Sequence, residues 1–232
     1  MILLATVCLL VISAPRVSAE YIIGDAGFQA TSVSGNSDTE VSDVAWIEEN
    51  HGVPFAEFAK SESAGNAPDD GDATPPEDDV YGALGDVGPG RFYQQIGSYG
   101  GESVLPVALT IGDQSAGGQF GTLDLELWVG GDTTIAGDGV NLGGGVGALL
   151  DHVVQFSSAD VPEDSVARVL ANLQFNSSAS ASVGDPVWLA LSTDETSNTT
   201  ELFDDLNIVP EPAIGAMVIL LGLAILRRRR HK

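Results

Sequence analysis

The sequence predicts an all-β protein, a jelly-roll-like β-sandwich, flanked by an N-terminal signal peptide and a C-terminal transmembrane helix. Three observations carry that reading. From Glu20 to Ile208 short apolar runs alternate with clusters of Gly, Asp, Ser and Asn, and no long stretch holds a helical period. Many short strands joined by Gly-rich turns bury their apolar faces as two packed sheets. The remaining segments, 1–19 and 209–232, have targeting composition, which leaves one domain, 20–208, long enough to build a core without disulfides.

Segment 1–19 carries the apolar run Ile2–Ile12 and then Val17-Ser18-Ala19, small residues that a signal peptidase accepts, which places cleavage after Ala19 and hands the chain to the secretion machinery. It departs from the usual pattern in lacking a basic start, since Met1 is followed by Ile2. The single cysteine, Cys8, leaves with this segment, and Val7 before it is not the small residue of a lipoprotein site. A cysteine-free exported body excludes a disulfide framework, a thiol nucleophile and thiolate-bound metal.

In the body, strands are predicted at Glu20–Ile23, Phe28–Val33, Val41–Ile47, Val53–Phe58, Val80–Leu84, Phe92–Ile96, Ser103–Ile111, Gly121–Val129, Leu149–Phe156, Ala167–Phe175, Pro186–Leu191 and Glu201–Ile208. The clearest alternation is Thr122–Val129, where Leu123, Leu125, Leu127 and Val129 face one way and Thr122, Asp124, Glu126 and Trp128 the other. Val187, Leu189 and Leu191 repeat it. Over Glu163–Leu173 the apolar residues also fall at helical spacing, so a short helix competes with the strand there. Ser61–Asp79 and the glycine-rich Gly131–Gly147 read as surface loops.

Segment 209–232 runs Val209-Pro210-Glu211-Pro212, then Ala213–Leu226 without a charge, then Arg227, Arg228, Arg229, Arg230, His231 and Lys232. The 14 apolar residues make a helix of about 21 Å against a hydrocarbon core of about 30 Å, which they span if the arginines snorkel and the bilayer thins. The arginines stay cytoplasmic and leave the body outside. This order of motif, apolar helix and basic end resembles the PEP-CTERM sorting signal of bacterial exopolysaccharide-associated proteins. The resemblance implies that an exosortase recognises Pro210-Glu211-Pro212, cuts nearby, and passes a precursor anchored in the inner membrane to the cell surface or extracellular matrix. Physically, the two prolines hold an extended segment just outside the membrane, where a protease can bind it.

A second resemblance lies in GFQ at Gly27–Gln29, FYQQIGS at Phe92–Ser98, VLPVALTIGDQ at Val104–Gln114 and LFDDLNI at Leu202–Ile208, whose order is similar to the galactose-binding-like jelly rolls often attached to such tails. It implies a structural calcium held by Gln29, where the family usually has Glu, together with Asp204 or Asp205. On a strand those two aspartates point to opposite faces, so only one can join such a site, and both can equally be the ordinary end of a strand.

Of thirty-three acids only Glu211 lies in the tail; of nine Lys and Arg, only Lys60, Arg91 and Arg168 lie in the body, which therefore carries 32 acids against three bases and a net charge of −29. That surface repels nucleic acid and anionic membrane and attracts divalent cations, or is simply a solvated coat. The acids Asp69, Asp70, Asp72, Glu77, Asp78 and Asp79 lack the spacing of an EF-hand loop, and Gly143–Ala148 matches a dinucleotide-binding pattern without its βαβ context. His51 and His152 have no local partner for a zinc site or a triad. Trp46, Trp128, Trp188, Tyr93 and Tyr99 could pack in the core or stack on sugar rings, and Trp128, on the polar phase of its strand, is the carbohydrate-binding candidate.

The function expected from the sequence is therefore a non-enzymatic exported protein, sorted by an exosortase, whose body binds or embeds in polysaccharide. The alternatives are a secreted glycoside hydrolase using a carboxylate pair and a purely structural surface protein.

Overall fold

Ten strands account for the secondary structure of the computed structural model, which describes residues 20–24, 26, 45–49, 57–61, 80–85, 90–113, 120–134, 141–161, 166–176, 181–193 and 200–209. They are β1 (Ile47–Glu48), β2 (Glu57–Ser61), β3 (Val80–Gly85), β4 (Gly90–Ser98), β5 (Val104–Asp113), β6 (Thr122–Val129), β7 (Leu149–Ser157), β8 (Val166–Gln174), β9 (Pro186–Thr193) and β10 (Thr200–Ile208). Two antiparallel five-stranded sheets result, ordered β1-β4-β9-β6-β7 and β2-β3-β10-β5-β8. Without β1 and β2, the order 3-10-5-8 faces 4-9-6-7, and successive strands cross between sheets except at the β6–β7 hairpin. That is the eight-stranded jelly roll, with one extra strand at the edge of each sheet.

The period-two pattern explains which face is buried. Leu123, Leu125 and Leu127 of β6 and Leu189 and Leu191 of β9 point inward, where they join Leu105, Leu109 and Ile111 of β5 in one core. Phe92 of β4 meets Phe203 of β10 edge to face across the sandwich, with ring centroids 5.9 Å apart. Trp46 closes on Phe92 from the β1 side. Burying one such side chain contributes about 1.5–3 kcal/mol.

The helix expected as one option over Glu163–Leu173 does not form: β8 pairs with β5 along its whole length, from Val104↔Gln174 to Gly112↔Val166. Period two wins because Ala171 and Leu173 are buried while Arg168, Leu170, Asn172 and Gln174 are exposed, and because the far side of β5 would otherwise lack backbone partners. Glu20–Ile23 is not a strand of either sheet, although Ile22 N–H donates to the Ile96 carbonyl (2.8 Å), and the buried Gln94 side chain holds Gly24 through both its backbone groups. The expected strand Phe28–Val33, residues 41–44 of the next one and residues 53–56 of the one after it lie outside the described residues; of the last, Glu57 and Phe58 fall in β2. The tail 210–232 and the segment 1–19 also lie outside them, and among the described residues no helix is long and apolar enough to cross a membrane.

The inward and outward assignment is tested by two substitutions of identical chemistry. Leu125→Ala, at a fully buried position, is expected to lower the unfolding free energy by about 2–5 kcal/mol, and Leu150→Ala, 49 % exposed on the outer face, by less than about 0.5 kcal/mol. Urea unfolding followed by tryptophan fluorescence decides it; equal losses would contradict the assignment.

Candidate functional site

The outward face of the β1-β4-β9-β6-β7 sheet is where the polar phase of the strands converges. Register places three rows across it: Arg91, Ser192 and Asp124; Tyr93, Ala190 and Glu126; and Gln95, Trp188, Trp128 and Leu150. Glu49 follows β1 and its backbone N–H donates to the Arg91 carbonyl at 3.0 Å, bringing its carboxylate to the same region.

Glu126 sits on the polar phase of β6 yet is only 4 % exposed, and Glu49 only 2 %. A buried carboxylate needs donors and a counter-charge. Arg91 supplies both, with Nη1 2.7 Å from Glu49 Oε2, Nη2 3.2 Å from Glu126 Oε1 and Nε 3.1 Å from Glu126 Oε2. The Ser192 hydroxyl and the Trp128 indole N–H also donate to Glu126, and the Leu142 N–H donates to Glu49. Burial would lower the Arg91 pKa, but the Glu126 and Glu49 carboxylates outweigh it and hold the guanidinium above its ordinary value. Arg91 Cζ lies 5.4 Å from the Trp128 ring centroid, a cation–π contact of about 0.5–2 kcal/mol.

Half of this face is covered. Leu142, Val146 and Ala148, from the connection between β6 and β7, pack on Tyr93, Trp188 and Ala190 as a second small apolar cluster. The connection is pinned at its root, where Trp188 Nε1 donates to the Gly130 carbonyl and Asp132 N–H to that of Val146. Gly131 has φ +92°, and a Cβ there would lie 2.7 Å from the Val146 oxygen, so only glycine allows this close approach. The glycine-rich stretch expected as a plain surface loop is thus, in its described parts, a cover for two aromatic rings.

The other half is open. Trp128 is partly exposed, Leu150 is 49 % and Val153 37 % exposed, and all three lie on the outer face of β6 and β7. Residues three apart on a regular strand face opposite ways, so Leu150 and Val153 share a face only because a bulge intervenes: Leu127 pairs with His152 and Trp128 with Leu150, which makes Asp151 the extra residue. The bulge is held by Asn176, whose N–H donates to the Asp151 carboxylate and whose side-chain amide donates to the Asp151 carbonyl. Burial raises the Asp151 pKa, against the Asn176 hydrogen bond and His152, which lower it.

Of the residues expected from sequence, Trp128 lies at the edge of this open strip. Trp46, Tyr93 and Trp188 are buried and belong to packing. Asp204 is 5 % exposed and accepts from the Asp205 N–H, whereas Asp205, at φ 51° beside a bulge in the β10–β5 pairing, turns outward to Arg168 at 3.6 Å. Gln29, Pro210, Glu211, Pro212 and the arginines Arg227, Arg228, Arg229 and Arg230 lie outside the described residues. Among the described residues no group of three or more His, Cys, Asp or Glu side chains is placed to hold a metal ion. Sequence reasoning missed Glu49, Arg91 and Glu126. The available signal was Arg91, the only base of the body in this sheet.

No protein-family model matches the chain, and comparison with curated proteins gives no match. Among solved structures it is similar to the Stig cyclase Fisc of Fischerella sp. TAU in complex with (3Z)-3-(1-methyl-2-pyrrolidinylidene)-3H-indole, with TM-score 0.57, 16 % identity and coverage of 84 % of this chain and 100 % of that one. A cyclase of the same organism in complex with 4-(1H-indol-3-yl)butan-2-one gives TM-score 0.57 at 15 % identity, covering 83 % and 98 %. TmCBM61 in complex with beta-1,4-galactotriose gives TM-score 0.45 at 12 % identity, covering 82 % and 99 %. At these identities the likeness to the cyclases is one of fold: the chain is a β-sandwich of the same architecture. It also corrects the expectation of a non-enzymatic body, because that architecture serves as an enzyme in the Fischerella cyclases and gives no ground for excluding catalysis.

Tyr93 reports on the covered half. Burial pushes its hydroxyl up to about 12, aided by Glu49 and opposed by Arg91. A tyrosine of the unfolded chain ionises near about 10, so the folded state keeps a proton that the unfolded state releases. Stability tied to Tyr93 is therefore complete below about pH 10 and is lost as the pH rises through about 12. The unfolding free energy of the parent is expected to fall more steeply than that of Tyr93→Phe across that window in urea titrations; parallel slopes would place Tyr93 in water.

Proposed function

We propose that the chain is an exported protein, sorted to the cell surface or extracellular matrix by an exosortase acting at Pro210-Glu211-Pro212, and that its sandwich binds carbohydrate on the open strip of β6 and β7. The observation that carries the binding reading is the state of Trp128: its one polar atom is bound to Glu126, so the part of the ring that meets solvent is hydrocarbon, beside the exposed Leu150 and Val153. An apolar ring surface in a polar frame suits the apolar face of a sugar. The sorting reading rests on the order of motif, apolar run and basic end in 209–232.

A glycoside hydrolase is the second reading, favoured by the meeting of Glu49 and Glu126 in one place. A carboxylate pair working on a glycosidic bond flanks the substrate at about 5–9.5 Å. Here both carboxylates close on the same guanidinium and accept further protein donors, an arrangement that suits holding the face together better than flanking a sugar.

Two measurements test the proposal. Intact mass of the protein extracted from the cell surface is expected to lack Arg227–Lys232; a mass including them leaves a plain tail anchor. In affinity electrophoresis through polysaccharide-containing gels, the full chain is expected to be retarded and Trp128→Ala to run nearly unretarded, with a loss of affinity of about tenfold, or ~1.4 kcal/mol. Equal retardation of the two would move the binding site elsewhere.

A further inference from the structure

Resting on the carbohydrate reading, we infer that the glycan taken by the β6–β7 strip is uncharged, and that anionic polymers such as polyuronates or sulfated glycans are excluded from it. The body has three bases, and their places decide the matter. Lys60 lies in β2 and Arg168 in β8, both in the opposite sheet, and Arg168 faces Asp205. Arg91 alone lies in the sheet that carries the strip, and its guanidinium is already shared between Glu49 and Glu126. The cluster of one guanidinium and two carboxylates therefore keeps a net negative charge directly behind Trp128, and Asp124 adds another carboxylate on the same face, where it accepts from Gln155. His152 pairs with Leu127 on the inward phase of β7 and offers the strip no cation.

A carboxylate or sulfate arriving at Trp128 would thus meet the carboxylates of Glu49, Glu126 and Asp124 against a single guanidinium already bound to two of them, inside a body of net charge −29. Sugar hydroxyls, by contrast, can donate to carboxylate oxygens of this face such as those of Asp124, and the ring carbons can rest on Trp128, Leu150 and Val153. An uncharged ligand adds no charge to that field, so its affinity is expected to be almost independent of salt, whereas any electrostatic attraction would fade as the Debye length falls from about 10 Å at 0.1 M to about 3 Å at 1 M. Among the described residues β7 is the edge strand, so the strip runs to the border of the described sheet.

The test is calorimetric titration of the full chain, held in a polyoxyethylene detergent that contains no sugar, with soluble oligosaccharides of three kinds: neutral hexose oligomers, oligogalacturonates and glucosamine oligomers. Neutral oligomers are expected to bind with a Kd that changes by less than about twofold between about 0.1 and about 1 M salt. Trp128→Ala is expected to weaken them by about tenfold, with Trp128→Phe retaining most of the affinity. Unchanged circular dichroism of both variants keeps a folding defect from mimicking the loss. Binding of oligogalacturonates in preference to neutral oligomers, or of glucosamine oligomers alone with loss at high salt, overturns the inference and leaves carbohydrate binding standing. No heat with any oligomer from a folded chain overturns the carbohydrate reading itself, and the inference with it.

Discussion

Arg91, the single Lys or Arg of its sheet, bridges two buried carboxylates, and the outer face is organised by that requirement. Glu49 stands at the β1 edge and Glu126 on β6, with β4 and β9 between them. Neighbouring strands lie about 4.8 Å apart, so a side chain rooted in β4 must cross β9 to reach Glu126. β9 permits it because the residues it presents beside Arg91 and Glu126 are Ser192 and Ala190, small enough to pass under the guanidinium. One of them, Ser192, also donates to Glu126. Four strands and the 141–148 segment are thereby tied at one point, since Glu49 also takes the Leu142 N–H. Removing one partner of a buried ion pair costs about 3–5 kcal/mol because the other charge is left unmatched, so the cluster fixes the face by necessity more than by net attraction.

The fold was legible because alternation in β6 and β9 is a local property: each leucine of Thr122–Val129 announces its own face. β8 was less so, because DSVARVLANL fits two periods and only the hydrogen-bonding need of β5 chooses between them. The site was harder. Alternation marks Glu126 as outward, and it is outward; its burial comes from Trp128, Arg91 and Ser192, residues that the chain brings together from three different strands. The same holds for Leu150 and Val153, whose common face depends on a bulge at Asp151 that no periodicity in β7 signals. Phase, a local property, marks both Trp128 and Trp188 as outward; that Trp188 is covered while Trp128 stays partly exposed comes from the segment carrying Leu142 and Val146, which alternation does not signal.

The strong net charge of the body falls into place beside this. With 32 acids and three bases, folding brings carboxylates closer together than they are in the unfolded chain, which opposes compaction unless they stay in water. Most of the described acids are at least partly exposed, and the buried exceptions, Glu49, Glu126, Glu201 and Asp204, are held by named donors: Arg91 and Leu142 for Glu49, Arg91, Ser192 and Trp128 for Glu126, Gly121 for Glu201, and Asp205 for Asp204. Of the three bases, two are thus committed to internal ion pairs with acids of the same body. The third, Lys60, lies in β2 of the opposite sheet, so the sheet that carries Trp128 has Arg91 as its single Lys or Arg, already shared between two carboxylates.

Where those contacts can form is set by how the sandwich is filled. The space between the sheets is occupied by Leu, Ile, Val and Phe side chains from both, so a ligand has to be met on an outer face or at the rim. On the outer face of the β6 sheet three large aromatics come to hand, Tyr93, Trp188 and Trp128, and the segment carrying Leu142 and Val146 covers the first two. Two close contacts shape its described parts. At the root, Gly131 lets the chain pass against the Val146 carbonyl; farther on, a Cβ at Gly143 would stand 3.3 Å from Trp128 Cζ3, so a larger residue there would press on the ring. Glycine at these two places lets the segment settle on Tyr93 and Trp188 and stop beside Trp128. Which aromatic of this face is covered is therefore set, among the described residues, by the glycines of the cover as much as by the strands beneath it.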